Sequence, residues 1–204
     1  VVIVQRPEDE LAARRWLGGR VPGRDVPLVW LEHNAPQGAI NDLRHPAADR
    51  RDLTIVHVTH TNALFWDCGT ARSTVIEHGI VDPGHRASAE LPAAAAVINE
   101  AGRRWRVTGT DLLGRLATGA PVDLFGMGAT DAVATVQGEV AAAGATAVGR
   151  PSLRGIDDLP QHRLHDELAR RRAYLHPFRW TSLGLSLVEA MHLGLPVVAL
   201  ATTE

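Results

Sequence analysis

Tyr174-Leu175-His176-Pro177-Phe178-Arg179-Trp180-Thr181-Ser182-Leu183-Gly184-Leu185-Ser186-Leu187-Val188-Glu189-Ala190-Met191 reads as a strand, an irregular loop and the first turns of a helix. Gly194-Leu195-Pro196 then turns the chain into another apolar run. Strand, loop, helix and strand in succession form the pattern of an α/β domain built on a parallel sheet. Ligands of such sheets bind at the carboxyl ends of the strands, where the following helix offers free N-terminal amides to a phosphate. Gly184 and Leu185 stand where those amides are expected. Glu189, about one turn further on, carries a carboxylate able to accept hydrogen bonds from the vicinal hydroxyls of a ribose. That spacing suits a nucleoside diphosphate. Read on its own, the segment equally fits a buried helix with one satisfied glutamate.

Outward from this stretch, the same alternation fills the chain. Strands are expected over Val1–Gln5, Pro27–Glu32, Thr54–Thr59, Ser73–Glu77, Ala94–Asn99, Val122–Phe125, Thr146–Val148, Ala173–Leu175 and Pro196–Leu200. Most are too apolar for a sheet with one wet face. Apolar residues recur at three- and four-residue spacing over Glu8–Leu17, Thr61–Cys68, Gly109–Thr118, Ala129–Ala143, Pro160–Arg171 and Leu185–Leu193, which are expected to be helices. Gly18-Gly19, Gly144 and Gly194 mark helix ends. Between Asp82 and Leu91 the chain is polar and turn-rich, after which the alternation restarts. A boundary there gives an incomplete domain over 1–86 and a second, also incomplete, over 87–204.

Composition narrows the partners. The 204 residues are 45% hydrophobic and 22% charged, with a formal net charge of −2. Nothing in that balance points to nucleic acid or an anionic membrane surface. No apolar run reaches the length of a membrane-spanning helix, and no signal segment opens the chain. With a single cysteine, Cys68, an internal disulfide is impossible, and the expectation is a cytoplasmic protein. All 21 basic residues are arginine, so any fixed positive charge at a phosphate site comes from a guanidinium. The chain opens inside a strand run without Met and closes directly after another, so it reads as a piece lacking both ends.

The stretch 174–200 resembles the donor-site signature of the large retaining family of GT-B glycosyltransferases, of the family 4 or group 1 type. There a strand ending in proline leads into Gly-Leu, Leu-Val-Glu-Ala-Met and Gly-Leu-Pro-Val-Val, as in Gly184-Leu185, Leu187–Met191 and Gly194–Val198. The resemblance implies a GT-B fold, two Rossmann-like domains whose parallel sheets face across a cleft, and a nucleotide sugar held by the second. It implies that Glu189 holds the donor ribose. The family carries a second glutamate where this chain has Thr181, so the sugar contact falls to Thr181, Ser182 or another group. Val75-Ile76-Glu77-His78-Gly79-Ile80-Val81-Asp82 resembles the turn that closes the family's first domain, with His78 in place of asparagine.

Two further elements follow from that register. The family grips the diphosphate with an arginine and a lysine-glycine pair after the first strand of the second domain. Thr108-Gly109 stands in the place of the pair, which leaves Arg103, Arg104 or Arg106 to neutralise the leaving group, or else a solvated arginine loop. At the end of an N-terminal strand, Leu31-Glu32-His33-Asn34 puts His33 where the family has an active-site histidine. His33 is otherwise a capping or surface residue.

Metal and cofactor are not expected. His57 and His60, three apart on a strand, point to opposite faces. His162 and His165 share a helix face that reads as solvated, with no third ligand nearby, and no Asp-x-Asp pair occurs. Cys68 reads as a small packing residue. The expectation is therefore a transferase that moves a sugar from a nucleoside diphosphate to an acceptor glycan, lipid or small molecule, with retention of configuration. A non-catalytic partner subunit that keeps the fold and nucleotide binding is the alternative, motivated by Thr181 and the missing lysine. A second alternative is an epimerase or sugar phosphorylase of the same two-domain architecture; the phosphorylase needs a cofactor lysine, and this chain has none.

Overall fold

A computed structural model describes residues 1–36, 42–142, 152–180 and 183–202. The chain folds as two compact units, Val1–Gly79 and Ile80–Thr203. Each is built on its own all-parallel sheet, so the fold class is α/β with two parallel sheets.

In the first unit the order along the chain is β1 (Val2–Val4), α1 (Pro7–Trp16), β2 (Leu28–Glu32), β3 (Leu53–His57), α2 (His60–Phe65) and β4 (Arg72–Val75). The strands lie side by side in chain order. Alternate residues of β2 are buried, and Val4, Leu28, Trp30, Leu53 and Ile55 pack with Ala47 and Ala71 into one core. Pro7 opens α1, and the Asp9 carboxylate accepts from the amides of Gln5 and Arg6 at 2.9 and 3.0 Å. Acidic residues in the first turn and arginines in the last suit the helix dipole. Helix α2 starts where Thr59 Oγ1 accepts from Asn62 N at 3.0 Å. It stops at Phe65, short of the expected Cys68, because Trp66 is extended and Asp67 is drawn into backbone hydrogen bonds with Leu43 and His45.

The second unit runs β5 (Leu91–Val97), α3 (Ala101–Arg104), a 3-10 turn (Thr110–Leu112), α4 (Leu113–Leu116), β6 (Val122–Phe125), α5 (Ala129–Ala142), β7 (Leu153–Ile156), α6 (Gln161–Ala169), β8 (Arg171–His176), α7 (Leu185–Leu193) and β9 (Val197–Ala199). Its strand order is β7-β6-β5-β8-β9. One core, with Ile98, Leu113, Leu124, Val133 and Phe178, gathers under α4 and α5. The other, with Phe125, Leu168, Tyr174 and Leu193, gathers under α6 and α7.

Two expectations need correcting, and a third falls outside the described residues. The helix expected over Gly109–Thr118 is a 3-10 turn followed by one helical turn that ends at Leu116, and Gly109 stands outside it as a left-handed N-cap with φ 71°. The strand expected at Thr146–Val148 lies outside the described residues. The strand that pairs with β6 is β7, whose Leu-Arg-Gly-Ile sequence has little apolar signal. Gly155 is needed there because a Cβ would come within 2.6 Å of Thr130 Cα on α5. The units also divide earlier than 86/87. The amides of Arg86 and Ala87 both donate to Leu193 O, at 3.0 and 2.9 Å, which ties that segment to the end of α7.

At the amino end of the second sheet the charges are paired. Asp123 on β6 accepts from Arg154 Nε and Nη2 at 3.0 and 2.8 Å and from Arg171 Nε and Nη2 at 3.0 and 2.8 Å. Arg171, only 1% exposed, also reaches the Glu167 carboxylate and lies over the Phe125 ring at 5.0 Å.

Candidate functional site

From β5 the chain moves outward through β6 to β7, then returns to place β8 on the other side of β5. That reversal is a topological switch point, and the loops leaving the carboxyl ends of its two strands diverge to leave a crevice. The segment after β5 carries Arg103 and Arg104 at the end of α3 and Arg106 just beyond it. The loop after β8 runs to Gly184 and α7. Both groups of residues singled out in the sequence therefore sit at one place in the fold.

The two loops are fastened together. Val107 O accepts from the amides of Arg179 and Trp180 at 2.9 and 3.2 Å, and Arg179 Nη1 donates to Arg106 O at 2.9 Å and to Asp111 at 2.5 Å. Gly109 has no room for a side chain, since a Cβ would collide with Pro177 O. Thr108 is wholly buried, its hydroxyl 3.1 Å from that of Thr110.

The three arginines are in different settings. Arg103 is exposed and paired with Glu100. Arg106 is more exposed still, 3.9 Å from Asp111. Arg104 is half-buried, with its guanidinium 5.8 Å from the Phe178 ring centroid. Burial first, and the charge of Arg103 second, disfavour its cationic form. A poorly hydrated guanidinium in a crevice is a strong partner for an anion.

Helix α7 begins at Gly184, an N-cap without a side chain to satisfy the first amides. Leu185 is the first helical residue. Thr181 and Ser182 lie outside the described residues. Glu189 is buried, 7% exposed, and faces α6: Gln161 Nε2 donates to Oε1 at 2.8 Å, and His165 Nε2 lies 3.2 Å from Oε2. His165 is therefore not on a solvated face as the sequence suggested. His162 is exposed, whereas the next turn of α6 packs His165 against α7. A carboxylate oxygen has two lone pairs, so Glu189 keeps the capacity to accept from a ribose beside its α6 partners.

His176, the last residue of β8, was not singled out in the sequence. It is 6% exposed, stacks on Phe178 at 4.2 Å, and has no hydrogen-bond partner for Nδ1 among the described residues. Burial pushes its pKa down to about 4, so the ring is neutral at physiological pH. The signal was present, as a histidine ending a strand directly before the switch-point loop, but neither periodicity nor spacing distinguishes it from a packed residue.

In the first unit, His33 is exposed just beyond the carboxyl end of β2. A buried polar frame fixes the residues around it. Glu32 accepts from Asn34 N at 2.7 Å, Trp30 Nε1 at 3.2 Å and His45 Nε2 at 3.2 Å. Ala47 N donates to His45 Nδ1 at 3.0 Å, which puts the His45 proton on Nε2, toward Glu32. Burial raises the Glu32 pKa, but these hydrogen bonds outweigh it and hold the carboxyl below its ordinary value. Asn34 O accepts from Asn62 Nδ2 at 2.7 Å and Trp66 Nε1 at 2.8 Å. His57 Nδ1 meets Asn62 Oδ1 at 2.9 Å, so its Nε2 lone pair faces Cys68 Sγ at 3.5 Å. Burial, then the charges of Asp67 and Glu32, push the Cys68 thiol up, so it stays protonated and packs against the core. His57 is buried and His60 exposed.

Among the described residues there is no cluster of three potential metal ligands, and no helix is long and apolar enough to cross a membrane.

No protein-family model matches the chain, and no curated protein sequence matches it. Its structure does have likenesses. The fold is one that glycosyltransferases share. The pneumococcal O-GlcNAc transferase GtfA, solved with UDP and GlcNAc, aligns with TM-score 0.58 and 13% identity over 87% of this chain. TarM aligns with TM-score 0.56 and 10% identity over 92%. AviGT4, a glycosyltransferase involved in avilamycin A biosynthesis, aligns with TM-score 0.50 and 16% identity over 97%. The chain spans 38%, 39% and 59% of those three proteins. At such identities the likeness is one of fold.

Proposed function

We propose that the chain belongs to a retaining glycosyltransferase of the GT-B, group 1 type, which takes a sugar from a nucleoside diphosphate and gives it to an acceptor glycan, lipid or small molecule. One observation carries the reading. The uncapped N-terminus of α7 and the half-buried Arg104 sit on the two loops of a single switch point. The diphosphate is assigned to the amides at Gly184 and Leu185 and to Arg104, with Arg103 and Arg106 as weaker, solvated contributors. The donor ribose is assigned to Glu189, the sugar to Thr181 and Ser182, and a hydrogen bond to the sugar or the reacting centre to His33.

The residues work by position and charge. Amides and guanidinium stabilise the negative charge that grows on the departing diphosphate, and each such donor is worth about 10²–10³ in rate. Holding the acceptor against the anomeric carbon supplies the remaining advantage. No covalent nucleophile, metal or cofactor is assigned a role, and the enzyme is placed in the cytoplasm.

Full-length protein incubated with a panel of nucleotide sugars tests the reading. Release of nucleoside diphosphate with formation of an α-linked product from an α-linked donor, read by NMR, is the expected result. Inversion at the anomeric carbon refutes the retaining assignment. Failure of every nucleoside diphosphate to bind refutes the donor site itself.

A further inference from the structure

An N-cap side chain ordinarily fills the space beside the first free amides of its helix, reaching them from its own Cβ. At α7 that space is occupied by a residue from elsewhere. A Cβ built on Gly184 would lie 2.9 Å from His176 Cε1, 3.6 Å from Nε2 and 3.9 Å from Nδ1. The imidazole edge that holds both nitrogens thus stands where a capping side chain would stand, and glycine at 184 is what leaves room for it. The ring is held there from both sides along β8. It stacks on Phe178 at 4.2 Å, under the Arg104 guanidinium, and on Tyr174 at 6.1 Å, whose hydroxyl donates to Ser186 Oγ in the first turn of α7 at 2.8 Å.

A buried polar nitrogen without a partner is costly, by about 1–3 kcal/mol, and is uncommon in a folded protein. His176 Nδ1 is such an atom, on a side chain 94% buried by the 6% exposure of the residue. It lies beside a nine-residue helix that has a glycine N-cap and, among the described residues, no side-chain cap. The two observations are independent, one of a side chain and one of a helix terminus, and both ask for the same thing, an acceptor oxygen at the carboxyl end of β8.

We propose that His176 is a ligand-binding residue of the α7 anion site, donating from Nδ1–H to an oxygen of the diphosphate while the amides of α7 hold the other side of the same group. This rests on the nucleoside diphosphate reading above. A neutral imidazole suits the task, because it gives a hydrogen bond without adding fixed charge to a site that must release its product. The stack through Phe178 also sets the distance between that hydrogen bond and the Arg104 guanidinium.

The test compares UDP, GDP and ADP with their parent nucleosides, by calorimetry on the full-length protein, for the wild type and for His176→Phe. Phenylalanine keeps the stacking and removes the nitrogens. The expected result is a loss of about tenfold or more in diphosphate affinity, with nucleoside affinity unchanged. Equal diphosphate affinity in the variant overturns the proposal while leaving the donor-site reading intact. A wild type that binds no diphosphate more tightly than its nucleoside overturns both. Should the variant fail to fold, 15N-histidine spectra of the wild type decide. The Nδ1 resonance of His176 shifts with the diphosphate and not with the nucleoside, and an unmoved resonance overturns the proposal.

Discussion

The two ends of the second sheet are built on opposite terms. At the amino end, Asp123 is flanked by Arg154 and Arg171, and Arg171 by Glu167, so that a fully buried guanidinium is surrounded by acceptors. At the carboxyl end of the same strands, His176 Nδ1 has no partner and α7 no side-chain cap among the described residues, and Arg104 rests on an aromatic face in place of a carboxylate. Both ends bury charge and polar atoms. The first is closed on itself and reads as stability, whereas the second leaves polar groups without partners among the described residues, as the proposed diphosphate site requires. Counting buried polar groups would not separate them, but asking where each one's hydrogen bonds go does.

The largest expected effect breaks the closed end. Asp123→Ala leaves Arg171 buried without its main partner, and the expected cost is about 3–5 kcal/mol in denaturant unfolding, with nucleotide affinity of the folded fraction unchanged. The contribution depends on pH in a definite sense. Burial raises the Asp123 pKa, but hydrogen bonds from Arg154 and Arg171 outweigh it and depress the folded value. The stabilisation is therefore complete above the unfolded pKa of about 3.9 and fades as pH falls through the folded value. A melting temperature that is flat in acid for the wild type, or a wild-type melt in Asp123→Ala, would remove the network from this role.

Next in size is His33→Ala, at the carboxyl end of the first sheet. Turnover is expected to fall about 100-fold or more, with kcat and kcat/KM falling together and nucleotide affinity little changed. Wild-type kinetics beside an unaltered melt would return His33 to the surface residues. Glu189→Ala follows, with an expected loss of about 1.5–3 kcal/mol in nucleoside diphosphate affinity, measured by calorimetry. If the carboxylate serves only to hold Gln161 and His165 on α6, the melt moves and the dissociation constant does not. The smallest contrast lies among the arginines. Arg104→Ala is expected to weaken diphosphate binding severalfold, while Arg103→Ala, which removes an exposed pair with Glu100, leaves it within twofold. The reverse order would reassign the leaving-group charge.

Much of this was legible in the sequence, and the reasons are physical. Eight of the nine described strands coincide with strands expected from the sequence, most of them as short apolar runs, which have few ways to fold. β7 escaped because Arg154 and Gly155 interrupt its pattern; one joins the Asp123 network and the other is forced by α5. Gly109 is a left-handed N-cap and not a helical residue, and what excludes a side chain there is the carbonyl of Pro177, far along the chain. At the site, Gly184, Leu185 and Glu189 were visible through motif spacing. Their surroundings were not: that Glu189 lies against Gln161 and His165, and that His176 fills the capping space at Gly184, are facts of packing between elements distant in sequence. The choice among three neighbouring arginines likewise needed the position of Phe178.

The strand order also bears on how the second unit is made. β5 is its central strand, yet one of its two partners, β8, is separated from it by β6, α5, β7 and α6. During synthesis the free edge of β5 stands unpaired until β8 emerges, and at about 5–20 residues per second that interval lasts several seconds. An apolar strand with an open edge is a template for wrong pairing. The Ala-rich composition of β5, Leu-Pro-Ala-Ala-Ala-Ala-Val, moderates that hazard, because alanine is a weak strand former. The nascent chain thus carries its most central strand in its least adhesive form until the second half of the sheet arrives to claim it.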